Sequence, residues 1–332
     1  MQRDNAIPRA RILGTGSALP ETVVPNPVLE GSLPTSDAWI REHTGIGSRR
    51  VLGAGETTSD LALLAARAAV EAAALSVADL DMIILATSTG DSPLPATAAH
   101  LQQKLGADLI PSFDVNASSA GFLYALTIAE QFIAAGTFRT VLVVAADAPS
   151  RFVAEDDRTA RALFGDGAGA VVLGQSDGEA GVLSSTIHAD GTFSDLMGIP
   201  AGGSADPLDA AGLEAGRQYL RVEGGPLRDL TVRHLTSYSM QALKAARLTS
   251  AELDWVVPQQ GNLRIIEVIS ERLGFPLSRF VLDTEEVGNA LAASIPIALD
   301  RAVRRGAIRR GQTVLLCALG AGITWGAAIL RM

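Results

Sequence analysis

The sequence contains a single cysteine, Cys317, among 332 residues. That excludes an intramolecular disulfide framework and any cysteine-rich metal site. Set in an apolar strand-like segment, the thiol is expected to be a small buried hydrophobe. Aromatic residues are scarce, at 5%, and histidine occurs only at His43, His100, His188 and His234. Positive charge is in deficit. With a formal net charge of −9, the cationic surface needed to neutralise phosphates is missing, and no nucleic acid is expected as a partner. The apolar runs at 82–86 and 141–146 are strand-length and too short to cross a bilayer, so no membrane is expected as a partner. Residues 1–16 scatter charges along their length and lack the apolar core of a secretory signal. A cytoplasmic location is the expectation.

What is present is aliphatic and small. Apolar residues make up 48% of the chain, charged residues 19%, and glycine numbers 33. This composition suits parallel strands buried on both faces with small-residue helices packed closely against them, an α/β class.

The chain also repeats itself. A helical stretch at 58–74, a short polar turn and an apolar strand at 82–86 reappear as 231–247, a second turn and 255–258. A turn at 115–119 entering a helix at 120–135 is matched by 286–289 entering 290–305, and each helix is followed by a C-terminal glycine, Gly136 or Gly306. Strands expected at 140–146 and 167–173 are matched by 313–319 and 324–330. The charged insertion 147–164 reads as a surface excursion or lid, and the Gly-, Ala- and Asp-rich stretch 201–216 as a loop. Two halves follow, 1–177 and 178–332. The repeat sets Ser119 against Asn289, each at the start of its helix. Helix N-termini carry unpaired amides and partial positive charge, so a site shared by two of them favours developing negative charge. Both residues are equally suited to simple helix capping.

Several motifs lie on this frame in a recognisable order. They are Thr35-Ser-Asp-Ala-Trp-Ile-Arg41, Thr44-Gly-Ile46, Phe164-Gly-Asp-Gly-Ala-Gly169, Asn262-Leu-Arg-Ile265, Gly288-Asn289 and Thr324-Trp-Gly326. Together, over essentially the full chain, they resemble the beta-ketoacyl-[acyl carrier protein] synthase III family. The resemblance implies a thiolase-like fold of duplicated α/β halves in five layers, αβαβα. It also implies an acyltransferase in fatty-acid or polyketide biosynthesis that takes an acyl group from acyl-CoA and condenses it with malonyl-acyl carrier protein. No cofactor or metal is implied, coenzyme A being part of the substrate, and a homodimer is expected through 110–115 and 94–101.

In that family the chemistry is done by a cysteine, a histidine and an asparagine. Here Asn289 matches the asparagine, but Ser119 occupies the cysteine position and Gln259 the histidine position. A thiol is a far better nucleophile than a serine hydroxyl lacking a base, and glutamine is no base. Oxyanion-type stabilisation by Gln259, Asn289 and backbone amides near Ser119 and Gly320–Gly322 survives the change. For coenzyme A the resemblance implies Trp39 and Arg151 about the adenine and Gly224 and Asn262 along the pantetheine tunnel, with Arg228 at its mouth and Thr35 and Gly322 as further binding residues. Arg264 and neighbouring cations are expected to face the acidic carrier protein. The competing readings are a non-catalytic or decarboxylase-type partner subunit, and an inactivated variant of a Cys/His enzyme.

Overall fold

The computed structural model describes residues 9–176 and 178–332. Residues 1–8 and Asp177 lie outside it, and with them part of the expected signal-free N-terminus and the expected half boundary. In chain order the strands are β1 (Ala10–Ala18), β2 (Thr22–Pro25), β3 (Ser48–Val51), β4 (Met82–Ala86), β5 (Ser112–Val115), β6 (Thr140–Asp147), β7 (Gly167–Gln175), β8 (Gly181–Ala189), β9 (Met197–Gly198), β10 (Arg221–Val222), β11 (Trp255–Pro258), β12 (Thr313–Gly320) and β13 (Thr324–Arg331). The α-helices are α1 (Asn26–Glu30), α2 (Asp37–Thr44), α3 (Thr58–Ala72), α4 (Thr97–Leu105), α5 (Gly121–Ala134), α6 (Arg158–Leu163), α7 (Ala210–Glu214), α8 (Gly224–Ala245), α9 (Leu263–Leu273), α10 (Thr284–Val287) and α11 (Ser294–Arg304).

Two sheets carry the fold, one ordered β1-β7-β6-β4-β5 and the other β11-β12-β13-β8. In each, a parallel pair (β4–β6, β11–β12) is followed by an antiparallel return strand, β7 or β13. Strand alternation sorts the side chains into layers. On β4, Ile83 and Leu85 face α3 and α4, while Met82, Ile84 and Ala86 face α5. On β12, Leu315, Cys317 and Leu319 face α8 and α9, while Val314, Leu316 and Ala318 share the central core with α5 and α11. The result is the five-layer αβαβα order. Its central layer, α5 and α11, is covered by a sheet on both sides, which is why both helices are so rich in buried Ala, Leu and Ile.

The internal repeat keeps one register. β4 and β11, β6 and β12, the 3₁₀ turns Val77–Asp79 and Ser250–Glu252, and the 3₁₀ turns Ser118–Ala120 and Leu291–Ala293 all begin 173 positions apart. Even the left-handed residues repeat, Ala74 with Arg247 and Ser118 with Leu291, at φ 54, 57, 47 and 46. This corrects the expected pairing. Ser119 corresponds to Ala292, and Asn289 to Asn116. The small apolar residues 290–293 read as helix, but the left-handed Leu291 breaks it, and α11 starts only at Ser294.

Simple helix capping is set aside for the same reason. The residues preceding α5 and α11 are Ala120 and Ala293, and neither helix has a side-chain cap. Two further expectations shift. α8 begins at Gly224, well before 231, and the stretch 201–216 contains the short α7. The insertion after β6 folds into α6 and forms one wall of the main cavity rather than a bare surface excursion.

Candidate active site

Ser119 is 2% exposed and lies in the 3₁₀ turn that links β5 to α5. The end of β12 is pressed against it. A Cβ built on Gly320 would stand 2.6 Å from Ala117 O, 2.7 Å from Ser119 N and 2.9 Å from Ser118 Cβ, so only glycine allows the strand to reach the turn. Thr324 on β13 fastens the same place, its hydroxyl donating to Ala117 O at 2.7 Å.

Gln259 follows directly on β11, its N–H donating to Cys317 O at 2.8 Å. Its Oε1 accepts the Leu319 N–H at 3.3 Å. Asn289 is fixed on the other side: its backbone N–H donates to Leu163 O at 2.9 Å, and its Oδ1 accepts the Leu291 N–H at 3.1 Å. Both side-chain oxygens are thus engaged with backbone amides, and this network assigns the NH₂ groups to the cavity. Gln259 Nε2 and Asn289 Nδ2 lie 3.4 and 3.7 Å from the point where Gly261 would carry a Cβ. Because residue 261 is glycine, that point is open, and two N–H donors flank it.

Ser119, Gln259, Gly261, Asn289 and Gly320 line one cavity of about 630 Å³, a size suited to a small-molecule ligand. Its outer wall carries Trp39, whose ring stacks on His43 at 4.4 Å and lies under the Arg158 guanidinium at 4.3 Å. Its middle is lined by Gly224, Leu227, Arg228 and Asn262. Asn262 starts α9, accepting Arg264 N at 2.8 Å and donating to His43 O at 3.1 Å. The deep wall is apolar: Leu235, Ile266, Ile269 and Leu319. Thr231 there turns its hydroxyl back to Leu227 O at 2.7 Å.

Several expected binding residues are placed differently. Arg151 does not line the cavity. Its guanidinium donates to Gly53 O at 2.6 Å, and Arg158, itself outside the cavity lining, is the cation stacked on Trp39. Thr35 and Gly322 are likewise absent from the wall, and Gly320 is the glycine that reaches the site. Arg264 is spent on structure, donating to Glu42 O and Arg41 O and pairing with Glu267. The sequence reading missed Arg158 and Gly261, and it took Gly320 only for a backbone donor, not for the point where β12 meets the Ser119 turn. The signal for Arg158 was the Asp157 N-cap that opens α6 inside the insertion; the two glycines reveal themselves only through what surrounds them.

The histidines do not supply the missing base. His43 lines the outer cavity, its Nδ1 2.8 Å from Trp39 O. His188 and His234 are packed with Tyr238 and Trp325, away from the cavity wall, and desolvation lowers the His234 pKa. Cys317 is fully buried, its thiol pushed up to about 12, and is no nucleophile. Among the described residues no cluster of His, Cys, Asp and Glu is arranged to hold a metal ion.

Duplicated α/β halves with a reactive position on a tight turn, two amide donors and a long cavity define a thiolase-type enzyme. Known proteins agree. The family descriptions 3-oxoacyl-[acyl-carrier-protein (ACP)] synthase III and its C-terminal region match residues 113–191 and 243–332. A beta-ketoacyl-[acyl-carrier-protein] synthase III of Xylella fastidiosa (strain 9a5c) is 46% identical over 322 residues, covering 97% of this chain and 98% of the relative. The crystal structure of 3-oxoacyl-[acyl-carrier-protein] synthase III from Aquifex aeolicus VF5 superposes with a TM-score of 0.90 at 38% identity, covering 97% of this chain and all of that one. The priming beta-ketosynthase of the R1128 polyketide pathway gives a TM-score of 0.91 at 34% identity, covering 99% and 98%. The chain belongs to the beta-ketoacyl-[acyl-carrier-protein] synthase III family.

Proposed function

We propose that the chain is an acyl-thioester condensing enzyme that uses amide donors in place of a proton-transferring histidine. The supporting observation is the pair of oriented NH₂ groups, Gln259 Nε2 and Asn289 Nδ2, flanking the open point at Gly261. Acyl-CoA enters with its adenine against the Trp39–Arg158 pair, the guanidinium swinging off the ring to admit it, and its pantetheine along Gly224 and Asn262. The apolar deep wall favours a hydrocarbon acyl group over a charged one. Ser119 Oγ attacks the thioester carbonyl and loses its proton to solvent, the C–S bond breaks, and coenzyme A leaves as a thiolate that takes a proton from solvent.

Malonyl-acyl carrier protein follows. The bond between its C2 and the carboxylate breaks, CO₂ leaves, and the electron pair is held as an enolate whose oxygen accepts from Gln259 and Asn289. The enolate carbon attacks the Ser119 ester carbonyl, forming the new C–C bond and expelling Ser119 Oγ, which takes up a proton. With no base near Ser119, the first step is the slow one. The same geometry supports a second reading, malonyl decarboxylation alone, in which the enolate takes its proton from water.

Intact-mass measurement after incubation with a panel of acyl-CoAs, alongside CO₂ release from malonyl thioesters, separates these readings. Condensation requires a persistent acyl adduct that Ser119→Ala abolishes. CO₂ release without an adduct leaves only the decarboxylase, and neither signal refutes both.

Assembly and location rest on surface features. β5 is an edge strand of its sheet, with Leu94 and Leu109 exposed nearby, and a homodimer formed across that edge would cover them. Light scattering that reads the 34.4 kDa monomer at micromolar concentration would refute it. No described helix is long and apolar enough to cross a membrane, in keeping with a cytoplasmic enzyme. Arg228 in the cavity wall and Arg158 over Trp39 suit the acidic surface of a carrier protein; a carrier affinity insensitive to salt would count against that role.

A further inference from the structure

The register that relates Ser119 to Ala292 also relates Gly320, the last residue of β12, to Asp147, the last residue of β6. These two strand ends meet equivalent 3₁₀ turns in opposite halves. Where Gly320 presents no side chain to Ser119, Asp147 extends a carboxylate to Ala292, and its Oδ2 accepts the Ala292 N–H at 3.0 Å. Its Oδ1 accepts Ser88 N at 2.8 Å, Thr89 Oγ1 at 2.8 Å and Thr87 Oγ1 at 3.3 Å.

Asp147 is fully buried, and no cation pairs with it among the described residues. Its donors are backbone amides and hydroxyls, the kind of set that holds an oxyanion elsewhere. A buried carboxylate without a countercharge is costly to keep, so its place calls for a reason.

The turn it holds supplies one. Asn289 lies three residues before Ala292, and the segment is pinned at two points. The end of α6 and the loop ahead of β7 hold the Asn289 end, through Asn289 N to Leu163 O at 2.9 Å and Gly165 N to Asn289 O at 3.1 Å. Asp147 holds the Ala292 end. The same turn abuts the start of α5: a Cβ on Gly121 would lie 3.4 Å from Ala292 Cβ. Rotation of the turn would carry the Asn289 amide off the open point at Gly261.

We propose that Asp147 fills the counterpart of the Ser119 amide pocket and is the positioning residue of Asn289, holding the Leu291–Ala293 turn so that one half-site is closed and the other is armed. The turnover test of this role rests on the decarboxylation step proposed above; its structural test does not.

Asp147→Gly makes the two strand ends alike, and Asp147→Asn keeps one oxygen for the Ala292 N–H. Each is prepared alone and with Asn289→Ala, and CO₂ release from malonyl-CoA is measured together with Ser119 acylation by mass. Asp147→Gly is expected to lower kcat for CO₂ release about tenfold, less than the roughly 10²–10³-fold cost of removing an oxyanion donor outright because the Asn289 amide is displaced and not lost, with KM changed less than about twofold. On the Asn289→Ala background it should add less than about twofold, because it acts through a group already removed. Asp147→Asn should recover part of the loss. Fully additive losses, or an equal fall in Ser119 acylation, overturn the proposal.

If the parent chain releases no CO₂, the decarboxylation reading fails, and the crystal structure of Asp147→Gly decides the positioning role. A displaced Asn289 amide with Ser119 unmoved supports it, and an unmoved Asn289 overturns it. Should Asp147→Gly fail to fold, Asp147→Asn carries both measurements, with a smaller loss and a smaller shift.

Discussion

β6 and β12 run through matching surroundings until their final residues, where one ends in a carboxylate and the other in a hydrogen atom. At Asp147 the strand end reaches into the opposite half and occupies the amide of Ala292. At Gly320 the strand backbone itself fills the gap, so closely that any side chain would collide with Ala117 O and Ser119 N. Duplication of a fold therefore does not duplicate a site. Two halves with matching 3₁₀ turns, matching left-handed positions and matching starts of α5 and α11 diverge through a single side chain at each strand end. One half offers an accessible turn at Ser119, and the other becomes its scaffold.

The sharpest way to press the comparison is to re-arm the open half. Ser119→Cys with Gln259→His supplies a nucleophile activated by a helix N-terminus and a group able to move a proton. Condensation of acyl-CoA with malonyl-acyl carrier protein should rise by about 10²–10⁴-fold over the parent, and by more than the two single changes predict. A parent chain already as fast as the double variant would show that Ser119 and Gln259 need no help. Gly320→Ala tests the close approach. Its Cβ must displace the Ser119 turn, so a roughly hundredfold fall in turnover and a loss of about 1–3 kcal/mol in stability are expected from kinetics and thermal melting. An unchanged melting temperature would show that the strand end has slack.

The closed half is tested by pH. Burial raises the Asp147 pKa from its ordinary 3.8 to about 6, so the folded chain holds this proton more tightly than the unfolded one. The stabilisation this lends is complete below about pH 4 and is lost as pH rises through about 6, of the order of 2–3 kcal/mol. Asp147→Asn cannot titrate, so melting profiles of parent and variant should converge or cross between pH 4 and 6 and run parallel above. A constant difference across that window would mean that the carboxylate is already ionised at low pH. The smallest expected change is at the outer wall of the cavity, where Trp39 and Arg158 of the first half meet. Trp39→Ala should weaken coenzyme A binding by about 1–3 kcal/mol. Arg158→Ala should weaken it too, and Arg151→Ala should not. Calorimetry giving the reverse order for the two arginines would restore Arg151 to the site.

Much of this was legible in the chain itself. Periodicity located α3, β4, β6 and β12, because alternation and helical stripes leave a direct trace in where apolar residues fall. The repeat announced two halves, and the motifs brought Ser119, Gln259 and Asn289 to attention before any contact was known. The boundary whose failure reached the site was the start of α11. Ala290 and Ala292 suit a helix interior as well as a 3₁₀ turn, and nothing local to the sequence announces that Leu291 will be left-handed. That shift paired Ser119 with Asn289 instead of Ala292. Arg151 was misplaced for a related reason: Arg151 and Arg158 share one charged insertion, and only the packing of α6 sets which guanidinium meets Trp39.

By itself, then, the sequence determined the class of fold, the duplication and the identity of the groups at the reactive positions, since these depend on local pattern and side-chain type. Tertiary structure alone decided the rest. Which amides face the cavity follows from the backbone N–H groups of Leu319 and Leu291, which engage the Gln259 and Asn289 oxygens. Which half is open follows from whether Asp147 or Gly320 ends the strand that crosses to the other half. Both outcomes depend on approaches of a few ångströms between residues far apart in the chain, and such distances leave no mark in composition or spacing.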